Sequence, residues 1–316
     1  VNEAAEAGSE YVVGIDLGGT KVRAGIATLD GTILSEVSEP TAAGAGRALV
    51  PQITALVSRL ATSAGGNALD VLATAIGGAG VPDGEGGRFD SAPNLGDLNG
   101  VSLVAELELE LGHPVVLEND VNVAAIGELH EGIGRQHDSF AFVSVGTGVG
   151  VGLVLRRRLW PGVSGSAGEI GYLPFGADPF DPKNQRRGAL EEVAAGDAIA
   201  RRFVLATGAD PLSAVDVFDR AAAGDAHAVA SLDEEARWLA RALVAIDAVV
   251  NPGVFVLGGG IGSRTELLVP IRHWLGRLGR PHLKVRISRL GNLAPIVGAV
   301  RLAIDAAPLS TEREAS

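Results

Sequence analysis

Apolar and polar positions alternate along this chain in two rhythms, and the switches between them mark out its elements. The runs YVVGIDL, from Tyr11, and KVRAGIATL, from Lys21, are apolar and β-branched and are separated by Gly18-Gly19-Thr20, so a β-hairpin is expected. The turn LDGT and another short strand follow. Between Gly46 and about Ala64, Leu49, Ile53, Leu56, Val57 and Leu60 recur at helical spacing, and DVLATAIGGAG then returns to a strand pattern. SLVAELELELG reads as a helix, PVVLEND as a short buried strand with a polar end, and VNVAAIGELHEG as a further helix.

The same succession restarts at FAFVSVGTGVGVGLVL, a second hairpin with glycines at its centre that partly echoes the first. Later, Leu239, Leu243, Ile246 and Val250 mark a helix, VFVLGGG a strand with a glycine turn, and APIVGAVRLAIDAA a small-residue helix. Alternating strands and helices imply an α/β fold, and the hairpins imply mixed sheets, in two related lobes. Phe175 to Gly188 lacks periodicity and is rich in Pro, Asp, Asn and Arg, as a long functional loop would be. The stretch before about Glu10 is expected to be a disordered tail.

Composition narrows the function. In a chain of 316 residues, 26 Lys and Arg face 38 Asp and Glu, and the longest basic run is Arg156-Arg157-Arg158, so a broad nucleic-acid surface is not expected. With no cysteine there is neither a disulfide framework nor a Cys-bound metal, and the six histidines form no metal-ligand spacing. The acidic opening VNEAAEAGSE lacks the features of a signal peptide. The window Ala141 to Leu155 is too short and glycine-rich to span a membrane, so a cytoplasmic protein without membrane partners is expected.

Three glycine turns follow strands. In Asp16-Leu17-Gly18-Gly19-Thr20-Lys21 the missing Cβ atoms let backbone N–H groups approach a phosphate, Thr20 adds a hydroxyl, and Asp16 is placed to orient Mg²⁺ through water. A tight hairpin needs glycine in any case. Gly146-Thr147-Gly148 occupies the matching turn of the second hairpin, and Gly258-Gly259-Gly260 follows the late VFVL strand. Neither a GxxxxGK[ST] loop nor a strand-to-helix GxGxxG fingerprint is present, so nucleotide binding requires another architecture.

In this order and spacing the three turns resemble the phosphate-1, phosphate-2 and adenosine motifs of the actin-like sugar kinase superfamily. Glu118-Asn119-Asp120-Val121-Asn122 followed by AAIGE, and Gly165-Ser166-Ala167-Gly168-Glu169-Ile170-Gly171, resemble the ROK family of kinases and repressors, with its glucokinases the nearest pattern. The resemblance runs from about Val12 to Ala303. It implies an α/β, ribonuclease-H-like fold with the active site in the cleft between a small lobe, residues 1–120, and a large lobe, residues 121–291. A C-terminal helix, about residues 292–307, would rejoin the first lobe.

The resemblance further implies that Asp120 takes the proton from a sugar hydroxyl beside Asn119. The same two residues also read as a helix N-cap, for which Asp and Asn are preferred. Glu169 and Glu191, the latter in GALE where the family has GCLE, would accept hydrogen bonds from sugar hydroxyls. Gly80 in GAGVP and Asn94 in PNL match further family turns near the sugar. MgATP and a homodimer are the family expectations.

Departures from the family pattern touch specificity. Zinc-containing members have AGEIGH followed by CxCGxxGC, whereas this chain has Tyr172 in place of the histidine and no cysteine in FGADPFDPKNQRRGA. No zinc is therefore expected there, and the loop is expected to be held by its own turns and by pairing of Asp181 with Arg186 or Arg187, with the Tyr172 hydroxyl facing the sugar or Glu191. The leading expectation is phosphorylation of a glucose-like hexose at its 6-hydroxyl. A modified hexose of the glucosamine or kanosamine type stands beside it, and polyphosphate in place of ATP as donor is a lesser expectation. The family's repressors carry a DNA-binding segment ahead of the sugar domain, and only about ten residues precede the first strand, so a kinase is expected rather than a regulator.

Overall fold

The computed structural model describes residues 10–42, 46–83, 87, 89–90 and 102–308. The expected tail before Glu10 and the PNL segment with Asn94 lie outside the described residues. The chain divides into two compact units, Val1–Glu131 with Pro161–Ser166 and Leu293–Ser316, and Gly132–Trp160 with Ala167–Asn292.

The first unit runs β1 (Tyr11–Leu17), β2 (Lys21–Thr28), β3 (Ile33–Pro40), α1 (Leu49–Ser63), β4 (Val71–Gly78), β5 (Val81–Pro82), β6 (Phe89–Asp90), α2 (Leu103–Leu111), β7 (Val115–Asn119) and α3 (Asp120–Glu131). Its main sheet has the order β3-β2-β1-β4-β7, antiparallel across β3, β2 and β1 and parallel across β1, β4 and β7. The second unit runs β8 (Phe140–Val145), β9 (Val149–Leu155), β10 (Arg158–Leu159), α4 (Glu191–Ala194), α5 (Gly196–Thr207), α6 (Ala214–Ala222), α7 (Ala226–Val249), β11 (Phe255–Gly258), α8 (Gly259–Gly262), α9 (Leu268–Arg277) and β12 (Val285–Ile287). Its sheet, β10-β9-β8-β11-β12, repeats the first pattern, antiparallel on one side of β8 and parallel on the other. Mixed sheets and repeated hairpins are thus observed, as the glycine-centred runs implied.

β1 is buried on both faces, which explains its unbroken apolar run. Val13, Ile15 and Leu17 pack with Leu49, Ile53 and Leu56 of α1 and Leu103 and Leu107 of α2. Val12 points to the other face and packs with Ala73, Ala75, Val300 and Ala303, the last two from the C-terminal helix Ala294–Ala306. The edge strand β3 alternates half-buried and exposed positions.

Small residues set how α3 meets the C-terminal helix. A Cβ on Gly298 would collide with the Val123 carbonyl, and one on Gly127 with the Ala294 carbonyl, so the two backbones touch directly. This contact fixes the helix whose first residue is Asp120. In the second unit, α7 starts earlier than the apolar spacing implied, because the Asp225 carboxylate accepts from the N–H groups of His227 and Ala228 at 2.9 and 3.1 Å and caps it. Helices α5, α6 and α9 were not expected. Among the described residues no helix is long and apolar enough to cross a membrane.

Gly298→Ala is expected to destabilise the protein by about 1–3 kcal/mol through overpacking, read as a lower urea midpoint. An unchanged midpoint would show that these backbones are not in contact.

Candidate active site

In the first unit the polar end of β7 meets the turn after β4. Asn119 closes β7 and caps α3: its Oδ1 accepts from the N–H groups of Val121 at 2.9 Å and Asn122 at 3.2 Å. Its Nδ2 donates to the Gly80 carbonyl at 3.0 Å, tying the strand end to the GAGVP turn. Glu118 braces the same segment, accepting from the Asn119 N–H at 2.8 Å and from Asn122 Nδ2 at 2.9 Å. Cap and catalytic readings are therefore compatible, because Asn119 performs the capping and leaves Asp120 as the first helical residue.

Asp120 is partly buried, and its Oδ1 accepts from the Val121 N–H at 2.8 Å. Desolvation pushes its carboxyl above the usual range, opposed by the N–H donors of Val121 and of its own backbone. Asp16, one residue before the end of β1, is pushed up to about 6, first by burial and then by the charge of Asp120, against the pull of Arg23 and Lys21. Folding thus raises the Asp16 value, so its contribution to stability is present below about 4 and is lost as pH rises through about 6. A desolvated carboxyl such as Asp16, whose ionisation the charge of Asp120 makes costlier still, fits a place that receives a cation. In the first glycine turn the Gly18 carbonyl accepts from Thr41 Oγ1 at 2.6 Å and the Thr20 carbonyl from the Thr41 N–H at 3.1 Å, while Gly19, Thr20 and Lys21 are exposed.

In the second unit, Gly146-Thr147-Gly148 joins β8 to β9, closed by a bond from the Gly146 N–H to the Gly148 carbonyl at 2.9 Å. The glycines differ in what demands them. A Cβ on Gly258 would strike the Phe142 ring, and Gly259 has a positive φ of 77°. Around Gly260 there is open space, and the nearest atom to a Cβ on Gly146 is the Gly260 nitrogen at 3.9 Å. Packing therefore explains Gly258 and Gly259, whereas Gly146 and Gly260 border room for a ligand beside bare backbone.

The family profile described as ROK family matches residues 12–306. The chain belongs to the ROK family. The glucokinase of Streptomyces coelicolor is 32% identical over 321 residues, covering 94% of this chain and 98% of that protein. The N-acetylmannosamine kinase of Yersinia pseudotuberculosis is 31% identical over 250 residues, covering 78% of this chain and 82% of that one. The crystal structure of a ROK family glucokinase from Streptomyces griseus in complex with glucose and AMPPNP matches with a TM-score of 0.77 at 32% identity, covering 93% of this chain and 99% of that one. The actin-like, ribonuclease-H-like α/β fold with mixed sheets expected from the motifs is the fold of this ROK-family chain.

The loop from Phe175 to Gly188 is a succession of turns. Asp181 pairs with Lys183 at 2.8 Å rather than with Arg186 or Arg187, because the turn brings the two near neighbours together. Tyr172 is exposed, and its hydroxyl donates to the Arg186 carbonyl at 3.2 Å rather than facing Glu191. Glu169 is exposed at the residue preceding the short helical turn Ile170–Tyr172. Both oxygens of Glu191 are engaged, Oε2 by the Val149 N–H at 2.9 Å and Oε1 by Arg187 Nε at 3.2 Å. Arg187 was expected only as a partner of Asp181, and its pairing with Glu191 and with Asp197 was missed; the Arg-xxx-Glu spacing of Arg187 and Glu191 was the available signal. Among the described residues, no group of three His, Cys, Asp or Glu side chains could hold a metal ion.

Gly146→Val and Gly260→Val are expected to keep the melting temperature within about 2 °C and to weaken MgADP binding about tenfold or more by calorimetry. Gly258→Ala should lower the melting temperature through the Phe142 clash; full ADP affinity in both valine variants would remove the turn from nucleotide binding. In a carboxyl ¹³C NMR titration, Asp120→Asn is expected to bring the Asp16 value down from about 6. An unmoved value would mean that the two carboxylates do not interact.

Proposed function

We propose that this ROK-family sugar kinase transfers the γ-phosphoryl group of MgATP to the 6-hydroxyl of a glucose-like hexose, with Asp120 as general base. The observation that carries the reading is the desolvated Asp120 carboxyl, fixed at the start of α3 while Asn119 does the capping. A carboxylate whose affinity for protons is raised accepts the hydroxyl proton more readily as attack on phosphorus develops, provided it is ionised at the working pH. Asn119 holds the Gly80 turn in place. Those two residues, with Asn94, Glu169, Tyr172 and Glu191, form the proposed sugar set. Gly18 to Lys21, Gly146 to Gly148 and Gly258 to Gly260 form the nucleotide set.

Mg²⁺ enters with ATP, and when bound it offsets phosphate charge; Asp16 is the residue that would face it, through water. The remaining catalytic work belongs to the chain's own groups, since phosphoryl transfer depends mainly on positioning and on complementary charge. An ATP-consuming reaction of this kind belongs in the cytoplasm.

A second reading, a modified hexose as acceptor, is supported by the N-acetylmannosamine kinase relative and by Tyr172, whose hydroxyl is turned to the loop backbone. An ADP-release assay across glucose, mannose, fructose, N-acetyl sugars and aminoglucoses separates the two. With the best sugar, Asp120→Asn is expected to lower kcat by about 10²–10⁴-fold while sugar binding remains measurable. Near-wild-type turnover would take Asp120 out of the mechanism.

A further inference from the structure

Three partners grip the turn between β8 and β9 through its backbone. The Gly196 N–H, at the start of α5, donates to the Gly146 carbonyl at 2.8 Å. Arg187 Nη2 donates to the Thr147 carbonyl at 3.3 Å, and Glu191 Oε2 accepts from the Val149 N–H at 2.9 Å. The turn is thus held before, at and after its central residue, and two of the three holders are side chains four residues apart, Arg187 just before the GALE segment and Glu191 at its end.

Arg187 connects these holders. Its Nε donates to Glu191 Oε1 at 3.2 Å, and Nη1 and Nη2 form a fork with the Asp197 carboxylate at 3.0 and 2.9 Å. Asp197 is the second residue of α5, adjacent to Gly196, so one planar guanidinium spans the loop end, α4, α5 and the turn. Its pairing with Asp197 raises the guanidinium's already high proton affinity and holds the Asp197 carboxyl below its usual range. A lysine would keep the charge without the fork. Because these N–H groups are committed to protein acceptors, Arg187 is placed to act on the shape of the turn rather than on a phosphate directly.

We propose that Arg187 is a positioning residue for the nucleotide phosphates: it locks Glu191 and the Gly146–Gly148 turn into one rigid piece. This rests on the assignment of that turn to nucleotide phosphates. Glu191 then serves first as a brace of the phosphate turn, and any sugar hydroxyl that reaches it binds to a carboxylate already fixed by Arg187. The loop that ends at Gly188 and the phosphate turn are mechanically one element, so a change at the loop end is felt by the nucleotide.

The test compares binding of MgADP and of adenosine by calorimetry for the full chain, Arg187→Met, Arg187→Lys and Asp197→Asn, with a thermal melt of each. Expected is a loss of about tenfold or more in MgADP affinity for Arg187→Met and Arg187→Lys, a smaller loss for Asp197→Asn, and adenosine affinity within about twofold throughout. A folded Arg187→Met that binds MgADP like the unaltered chain would overturn the proposal, as would equal loss of adenosine. If Arg187→Met does not melt cooperatively, Asp197→Asn, which leaves Arg187 on Glu191 and Thr147, carries the comparison under the same criteria. An unaltered chain that binds neither ligand would instead overturn the nucleotide assignment itself.

Discussion

The direct contact between the backbones of α3 and the C-terminal helix is the constraint on which the chemistry proposed for the first unit depends. Gly127 and Gly298 allow it, and any side chain larger than hydrogen at either position would push the helices apart. A helix held this closely cannot slide, so its first residue, Asp120, is fixed relative to β7 and to the GAGVP turn that Asn119 ties down. The cost of that fixation is electrostatic. A carboxyl held away from water ionises reluctantly, and this same reluctance makes it a stronger proton acceptor once ionised.

The second unit solves a different problem by a related device. A turn that is to offer bare backbone to an anion, the role proposed for Gly146–Gly148, cannot use side chains of its own for support, so support comes from neighbouring segments. Gly196, Arg187 and Glu191 take up the carbonyls of Gly146 and Thr147 and the N–H of Val149, leaving room around Gly146 and Gly260. Glycine therefore has two separate duties within a few residues: at Gly258 it makes room for the Phe142 ring, and at Gly260 it leaves a Cβ position with none of the described residues' atoms within 4 Å.

Much of this was legible in the sequence because it is local. Hairpins with glycine centres, strands with unbroken apolar runs, the Ser102-capped helix α2 and the Asn119-Asp120 step are each specified by a few adjacent residues. The helices α5, α6 and α9 were not, since their apolar faces are short and are read only against the core they join, and the reach of α7 back to Asp225 was missed because it rests on a polar cap rather than on apolar spacing. The loop from Phe175 to Gly188 resisted for another reason. Its ion pairs depend on which way each turn folds, so Asp181 met Lys183, and Arg187 reached across to Asp197 and Thr147. Sequence spacing pointed to Asp181 and Arg187 and did not reveal Lys183 and Asp197 as their partners.

The central claim is that the chain phosphorylates the 6-hydroxyl of a hexose. It is tested most directly by incubating the protein with MgATP and uniformly ¹³C-labelled glucose and reading phosphorus-to-carbon couplings in the product by NMR. The account predicts one new phosphomonoester coupled to carbon 6, formed in step with ADP. Phosphate on another carbon, or ADP formed with inorganic phosphate and unchanged glucose, would contradict it.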